Sequence, residues 1–197
     1  MPDYFVDTSV WIAGSFESHP YFSVANSFLA GSQRADTVWL ARVVENSFLR
    51  LLTTAALCRG YDSPMISNPQ AVEILGKWRS LPHIRCIDAE PEGTRELWLE
   101  LAAIPSASPK VWMDAYLAAF AIRAALPFAT LDADFRRLIP LFVFSTSVSS
   151  ASFLCLFWRP RPTQLTFSRR RLFFLSPSKT NNRQSTISSS RRVEKDF

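Results

Sequence analysis

Four carboxylates stand at places in the sequence where acidic side chains can do chemistry. Asp7 follows the apolar run "YFV", and Asp132 ends the run "FATLD". Glu45 lies in "VVENSFLR" and Asp114 opens "DAYLAAF", two stretches in which apolar residues recur at helical spacing. Each acid taken alone also has an ordinary explanation. It can cap a turn or helix, balance a helix dipole from the first turn (the position expected for Asp114), or be solvated on a helix surface, as for Glu45.

Together, the four acids suggest a different role. Carboxylates gathered at one place repel one another and raise each other's pKa values unless a cation neutralises them. A set of oxygen ligands without His or Cys favours Mg²⁺ or Mn²⁺ over zinc. One or two such ions activate a water and stabilise negative charge that develops on a phosphodiester. Spacing alone leaves this metal site and the capping interpretation both open.

The elements that must position these acids alternate between strand and helix. The sequence predicts strands at residues 4–6, 36–41, 83–88 and 128–132. It predicts one helical stretch that begins at residues 9–13 and continues through residues 19–31. It predicts four further helices over residues 42–57, 69–80, 92–103 and 111–126. Thr94 is a candidate cap for the helix at 92–103. Strands separated by helices indicate an α/β fold with a central parallel sheet and helices on both faces. Ligands of such sheets gather at the carboxyl ends of the strands, where Asp7 and Asp132 are expected.

Cysteine usage and the N-terminus bear on the cellular compartment. Cys58, Cys86 and Cys155 are scattered among 197 residues without a CxxC motif. This pattern disfavours a zinc site and a disulfide framework, and it suits a reducing compartment. Asp3 and Asp7 stand where a signal peptide would need a basic region and a long apolar stretch. We therefore expect a cytoplasmic protein.

Charge divides the chain into two unlike parts. Residues 1–137 carry 12 Lys and Arg against 15 Asp and Glu, a net charge of −3, whereas residues 138–197 carry 10 against 2, a net charge of +8. We predict a folded domain over residues 1–142 and a Ser/Arg-rich tail over residues 143–197. The tail's low-complexity composition indicates disorder, or translation in a shifted reading frame.

An uncharged run covers residues 138–158 and is long enough to span a bilayer. Its many Ser and Thr residues, together with Pro140, weaken that interpretation. We expect no stable membrane association.

The segments "VDTSVWIA", "VENSFLRLLT", "MDAYLAAFAI" and "FATLDADF" resemble, in order and spacing, the motifs of PIN-domain ribonucleases. The likeness is greatest to the VapC toxins of bacterial type II toxin–antitoxin systems, and it covers about residues 1–140. The resemblance implies a PIN-like three-layer α/β/α fold and an Mg²⁺- or Mn²⁺-dependent endoribonuclease that cleaves RNA. It also implies a cognate VapB-type antitoxin and a possible homodimer.

The resemblance assigns roles residue by residue. It makes Asp7, Glu45, Asp114 and Asp132 the catalytic, metal-binding quartet, with Asp7 and Asp114 as the surest direct ligands. Thr8 matches the hydroxyl that commonly follows the first acid, and Asp134 is an auxiliary acid. The position of Glu45, at the edge of its helix's buried stripe, suits an acid that holds a metal-bound water.

The residues also bear on other function classes. A receiver-like phosphoacceptor domain needs a paired acid near the N-terminus and a late lysine, and Lys110 is poorly placed for that. An inactive PIN-like protein that binds nucleic acid or a membrane surface through its basic tail remains the alternative. Candidate phosphate contacts are Arg42, Arg50, Arg136 and Arg137.

Overall fold

The computed structural model describes residues 3–31 and 37–135. Within these residues the strands are β1 (Tyr4–Val6), β2 (Val38–Ala41), β3 (Ile84–Ile87) and β4 (Phe128–Ala129). The helices are α1 (Thr8–Ser15), α2 (Phe22–Ala30), α3 (Arg42–Leu52), α4 (Ala55–Gly60), α5 (Asn68–Arg79), α6 (Thr94–Ala102) and α7 (Pro109–Arg123).

The strands form one sheet in the order β3-β2-β1-β4, and every neighbouring pair is parallel. This confirms the predicted α/β fold with a central parallel sheet. Because all four strands run the same way, their carboxyl ends meet at one edge. Asp7 directly follows β1, Glu45 lies in the first turn of α3 just after β2, and Asp132 lies three residues beyond β4. The strand order therefore brings three of the four predicted acids to that edge.

The core fixes α7 against the central strand. Phe5 of β1 is fully buried and stacks on Phe120 of α7, with 4.8 Å between ring centroids. Ala115, Ala118 and Ala119 of α7 are buried as well, as their helical spacing predicts. Small side chains allow close packing, and the helix that carries Asp114 is thereby held beside the strand that precedes Asp7.

Two of the predicted helices are each divided in the structure. The stretch over 9–31 forms α1 and α2, with Pro20 between them, and a proline disfavours helical conformation in the residue before it. The stretch over 42–57 forms α3 and α4. Between them, the Thr53 and Thr54 hydroxyls donate hydrogen bonds to the carbonyl oxygens of Leu49 and Arg50, at 3.1 and 2.9 Å. Such local bonds compete with continued helix.

The start of α7 also differs from the prediction. The helix begins at Pro109, a residue type favoured at the first helical position, and no acid lies in its first turn. The interpretation of Asp114 as a first-turn acid is therefore wrong. Thr94 is not a cap either, because Gly93 holds the N-cap position of α6 with a φ of 76°. The Thr94 hydroxyl instead donates to the Pro91 carbonyl at 2.7 Å.

Some predictions fall outside the described residues: the boundary at residue 142, the tail over 143–197, the apolar run at 138–158, and Arg136 and Arg137. Within residues 3–31 and 37–135, no helix has the length and apolar character needed to cross a bilayer.

Candidate active site

Asp7 is held by side chains and does not act as a helix cap. It occupies the N-cap position of α1, but its side chain makes no capping hydrogen bond. The residue is only 6% exposed. The hydroxyls of Ser9 and Thr130 both donate to its Oδ2, at 2.5 and 2.7 Å. The carboxylate is thus fixed in orientation by two neutral donors.

The same two hydroxyls connect Asp7 to the loop after β4. The Ser9 hydroxyl accepts the Leu131 N–H at 3.1 Å, and the Thr130 hydroxyl accepts the Asp132 N–H at 3.0 Å. Each hydroxyl therefore bridges the end of β1 and the end of β4. Sequence reasoning had singled out Thr8, whereas the hydroxyls that reach Asp7 are those of Ser9 and Thr130. Thr130 is distant in sequence, so only the pairing of β1 with β4 reveals it.

Electrostatics link Asp7, Asp114 and Asp132. Burial raises the pKa of Asp7, although the hydrogen bonds from Ser9 and Thr130 oppose the rise. Burial also raises the pKa of Asp114 to about 6, and the charges of Asp132, Asp7 and Asp134 add to that rise. An isolated surface aspartate titrates near 4. Asp114 on α7 therefore experiences the charges of the acids that follow β1 and β4.

Lys110 is a residue at this site that sequence reasoning missed. Its Nζ lies 2.6 Å from Asp132 Oδ2, 2.6 Å from Asp134 Oδ2 and 3.8 Å from Asp114 Oδ2. A usable signal was present, because Lys110 precedes Asp114 by four residues and positions four apart share a helix face.

Asp132 has a local structural role as well. Its Oδ1 accepts the Asp134 N–H at 2.9 Å, the pattern of an Asx turn, while its Oδ2 contacts Lys110. Asp132 therefore caps a turn, as one interpretation predicts, and also shares Lys110 with Asp114. We call Asp7, Asp114, Asp132 and Lys110 the Asp114 group.

Glu45 is buried, with 6% of the residue exposed, so its interpretation as a solvated helical residue is wrong. Its Oε2 lies 3.6 Å from Arg42 Nε, and its Oε1 lies 3.6 Å from Arg79 Nη1. The Cys86 thiol donates to Oε1 at 3.7 Å. We call Glu45, Arg42 and Arg79 the Glu45 group. The charged groups that act most strongly on Asp114 do not include Glu45.

The three aspartates of the Asp114 group suit a hard divalent cation in chemical type, since their ligand atoms are all carboxylate oxygens. Among the described residues, however, no three or more His, Cys, Asp or Glu side chains converge in a way that could hold a metal ion. At the acids beside α7, the cation in contact is the Lys110 ammonium. The chemistry of the ligands fits a metal, while their present arrangement is that of acids paired with a lysine.

Comparison with known proteins gives a family match and several similar proteins. The family model described as PIN domain matches residues 4–139, a range that includes all four acids. Ribonuclease VapC41 of Mycobacterium tuberculosis, from strains CDC 1551 / Oshkosh and ATCC 25618 / H37Rv, is 33% identical over 131 residues, which make up 66% of this chain and 90% of the relative.

Two solved structures are also similar. One is M. tuberculosis VapC20, described as a Sarcin-Ricin loop cleaving toxin, with a TM-score of 0.49, 20% identity, and coverage of 68% of this chain and 94% of that chain. The other is VapBC2 from Rickettsia felis bound to a DNA fragment from its promoter, with a TM-score of 0.45, 14% identity, and coverage of 68% and 92%.

Proposed function

The chain belongs to the PIN domain family, and from this premise we propose that it is a metal-dependent endoribonuclease and the toxin of a toxin–antitoxin pair. A relative that it matches over 90% of that protein's length is named a ribonuclease. The observation that carries the proposal is the electrostatic coupling of two buried acids, Asp7 and Asp114, with Asp132 at the carboxyl edge of the sheet. An RNA substrate and a VapB-type antitoxin are the partners that follow from it, with a homodimer as a further possibility to test.

The proposed site assigns the acids distinct tasks. Asp7 and Asp114 would hold a divalent cation, Mg²⁺ or Mn²⁺, with Asp132 beside them and Glu45 holding a water. A bound cation supplies the charge that activates water and stabilises negative charge on the cleaved phosphodiester. Ser9 and Thr130 orient the Asp7 carboxylate by donating to the same oxygen, Oδ2. Because Asp7 is buried, its charge acts in a medium that screens it less than water does.

RNA cleavage by the full chain tests this function. Cleavage should require added Mg²⁺ or Mn²⁺ and stop with EDTA. Asp7→Asn and Asp114→Asn each remove one ligand charge at constant shape, and each should lower the rate by about 10³-fold or more, since a metal's charge stabilisation amounts to several kcal/mol. Asp62→Asn, at an exposed position, is the matched control and should cleave like the wild type.

Two results would contradict the proposal. Wild-type cleavage in the Asp114→Asn variant would remove the acid from the site. RNA binding by the wild type without any cleavage, under all metal conditions, would favour the alternative of an inactive nucleic-acid-binding protein.

We also propose that the nuclease domain ends near residue 142 and that the basic sequence after about residue 138 comes from a shifted reading frame. The change in charge from −3 to +8 and the confinement of all five glycines to residues 1–137 support this. The coding DNA decides it. If neither alternative frame after that point encodes a continuation with the strand and helix patterning of residues 1–135, the hypothesis fails.

A further inference from the structure

Lys110 makes an unusual set of contacts for a half-exposed lysine. Its ammonium lies at hydrogen-bond distance from two carboxylates, Asp132 and Asp134, and at ion-pair distance from a third, Asp114. An ammonium group has three N–H donors and no acceptor, so it suits a position between acids. The contacts come from a helix residue and from the loop after β4. Lys110 therefore joins two separate elements of the site.

Within residues 3–31 and 37–135, these contacts place more acids than cations at this point. Asp7 and Asp132 both act on Asp114 through their charges, and Lys110 contacts Asp114 and Asp132. Acids that share a site repel one another unless a cation lies among them. In the metal-free chain, the lysine supplies that positive charge.

A divalent cation held by Asp7 and Asp114 would meet the Lys110 ammonium at close range once it also contacts Asp132, the acid beside them. Metal–oxygen distances for Mg²⁺ are about 2.1 Å. With Nζ at 2.6 Å from Asp132 Oδ2, two cations on this one oxygen would lie within about 5 Å of each other and repel. The lysine side chain is 50% exposed and has a flexible stem, so it is free to move into solvent.

We propose that Lys110 is the internal counter-ion of the acidic site and that a divalent cation must displace its ammonium in order to bind. The inference rests on the proposed metal-dependent function. Two consequences follow. Lys110 stabilises the metal-free protein, and it weakens the apparent affinity for the metal.

Manganese binding to the full chain, followed by calorimetry, tests the proposal. Lys110→Gln removes the positive charge and should bind Mn²⁺ about tenfold more tightly than the wild type, the effect of removing one like charge a few Å away in a well-solvated site. In EDTA its Tm should be lower, and the gain in Tm on adding Mn²⁺ should be larger. Lys110→Arg keeps the charge and should bind Mn²⁺ like the wild type. Lys77→Gln, an exposed lysine on α5, makes the same change in net charge elsewhere and should also leave binding unchanged.

Displacement of the Lys110 ammonium can also be measured directly in the wild-type protein. The Cε signal of Lys110 in a ¹³C NMR spectrum should move towards that of exposed Lys77 as diamagnetic Mg²⁺ is added. A Lys110 signal that stays in place at saturating Mg²⁺ overturns the proposal.

The outcomes separate the inference from the function on which it rests. If Asp114→Asn abolishes Mn²⁺ binding but Lys110→Gln binds no more tightly than the wild type, the metal site stands and the role of Lys110 is overturned. If Lys110→Gln binds more weakly, Lys110 supports the metal and the proposal is also overturned. If the wild type does not bind Mn²⁺ or Mg²⁺ in a manner sensitive to Asp114→Asn, the metal site itself fails and the inference fails with it.

Discussion

Asp7 and Glu45 are buried to the same extent, at 6% exposure each, but their partners are of different kinds. Asp7 accepts hydrogen bonds from two neutral hydroxyls, those of Ser9 and Thr130. Glu45 lies between two guanidinium groups, those of Arg42 and Arg79. Hydroxyls orient a carboxylate without supplying a positive charge, whereas arginines bring positive charge close to it, here from partly exposed side chains that solvent screens.

The two buried acids are therefore stabilised in different ways. In the Glu45 group, the positive charges match the negative ones, because Arg42 also pairs with Asp88. In the Asp114 group, among the residues that the structure describes, Lys110 contacts Asp114 and Asp132, and the charge of Asp7 also acts on Asp114. Surplus negative charge on oriented carboxylates is what an added cation can neutralise. The comparison therefore favours the Asp114 group as the place for the proposed metal, and the proposed role of Glu45 beside a water needs a test of its own.

Among the tests of this difference between the Asp114 group and the Glu45 group, substitution of Glu45 is expected to have the largest effect. Glu45→Gln should slow RNA cleavage by about 10²–10⁴-fold, the usual contribution of a residue that orients or deprotonates water. Its Mn²⁺ affinity should fall less than that of Asp114→Asn, because Glu45 belongs to the arginine-paired group. Rates and calorimetric affinities measured together give both quantities, with Glu73→Gln on the exposed face of α5 as the control. A Glu45→Gln variant that cleaves at the wild-type rate would reduce Glu45 to a partner of two arginines.

The second test uses the pH dependence of stability in EDTA. The folded protein raises the pKa of Asp114 from 3.8 to about 6, so the folded state holds this proton more tightly than the unfolded chain does. The stabilising contribution is complete below about pH 4 and is lost as pH rises through 6, and it corresponds to at most about 3 kcal/mol. Asp114→Asn should flatten this decline and be more stable than the wild type at pH 7.

Urea unfolding at pH 4, 5, 6 and 7 measures the decline, with Glu45→Gln for comparison. The latter should not gain stability at pH 7, since it gives up contacts with two guanidinium groups. A loss of stability in Asp114→Asn at pH 7 would mean that the attraction of Lys110 outweighs the cost of burying the charge.

The sequence predicts the parts of the site that depend on strand order and patterning. Apolar runs followed by an acid placed Asp7 and Asp132 at strand ends, and alternating elements implied that those ends would meet. Glu45 was expected at the edge of a buried stripe, and it is buried. These predictions needed only local periodicity and the general behaviour of parallel sheets.

Other features depend on contacts that local patterns do not encode. Thr130 reaches Asp7 only because β4 pairs with β1, and that pairing also ends β4 at Ala129 rather than at the predicted residue 132. The first-turn interpretation of Asp114 failed because Pro109, and not Val111, begins α7. The break between α3 and α4 follows from threonine hydroxyls that take up carbonyls of the last turn. Strand pairing, a helix start and side-chain hydrogen bonds therefore moved the ends of these elements by a few residues from their predicted positions.

The hydroxyls around Asp7 give the third test. Thr130→Val keeps the shape of a fully buried side chain but removes its hydroxyl, so Asp7 loses a donor and the Asp132 N–H loses its acceptor. We expect a loss of about 1–2 kcal/mol in the free energy of unfolding and a further rise in the pKa of Asp7. Urea unfolding and NMR titration of the Asp7 carboxyl measure these. Thr130→Ser retains the hydroxyl and should leave the Asp7 pKa as it is in the wild type. An unchanged pKa in Thr130→Val would show that the Thr130 hydroxyl does not contribute to the pKa of Asp7.

The smallest effect is expected on the other side of the comparison, at Arg79. Its guanidinium is 50% exposed and lies 3.6 Å from Glu45, so solvent screens the pair despite the burial of the acid. Arg79→Gln should cost less than about 1 kcal/mol in the free energy of unfolding, and the cost should shrink further as salt is raised to 1 M. Urea unfolding at low and high salt measures this, with exposed Arg95→Gln on α6 as the control for the change in net charge. The Thr130→Val cost comes from neutral hydrogen bonds, so it should not depend on salt.

A loss above about 2 kcal/mol in Arg79→Gln that persists at 1 M salt would mean that Glu45 is held as a buried ion pair. Its charge would then be unable to act on a water, and the proposed role of Glu45 in cleavage would fall with it.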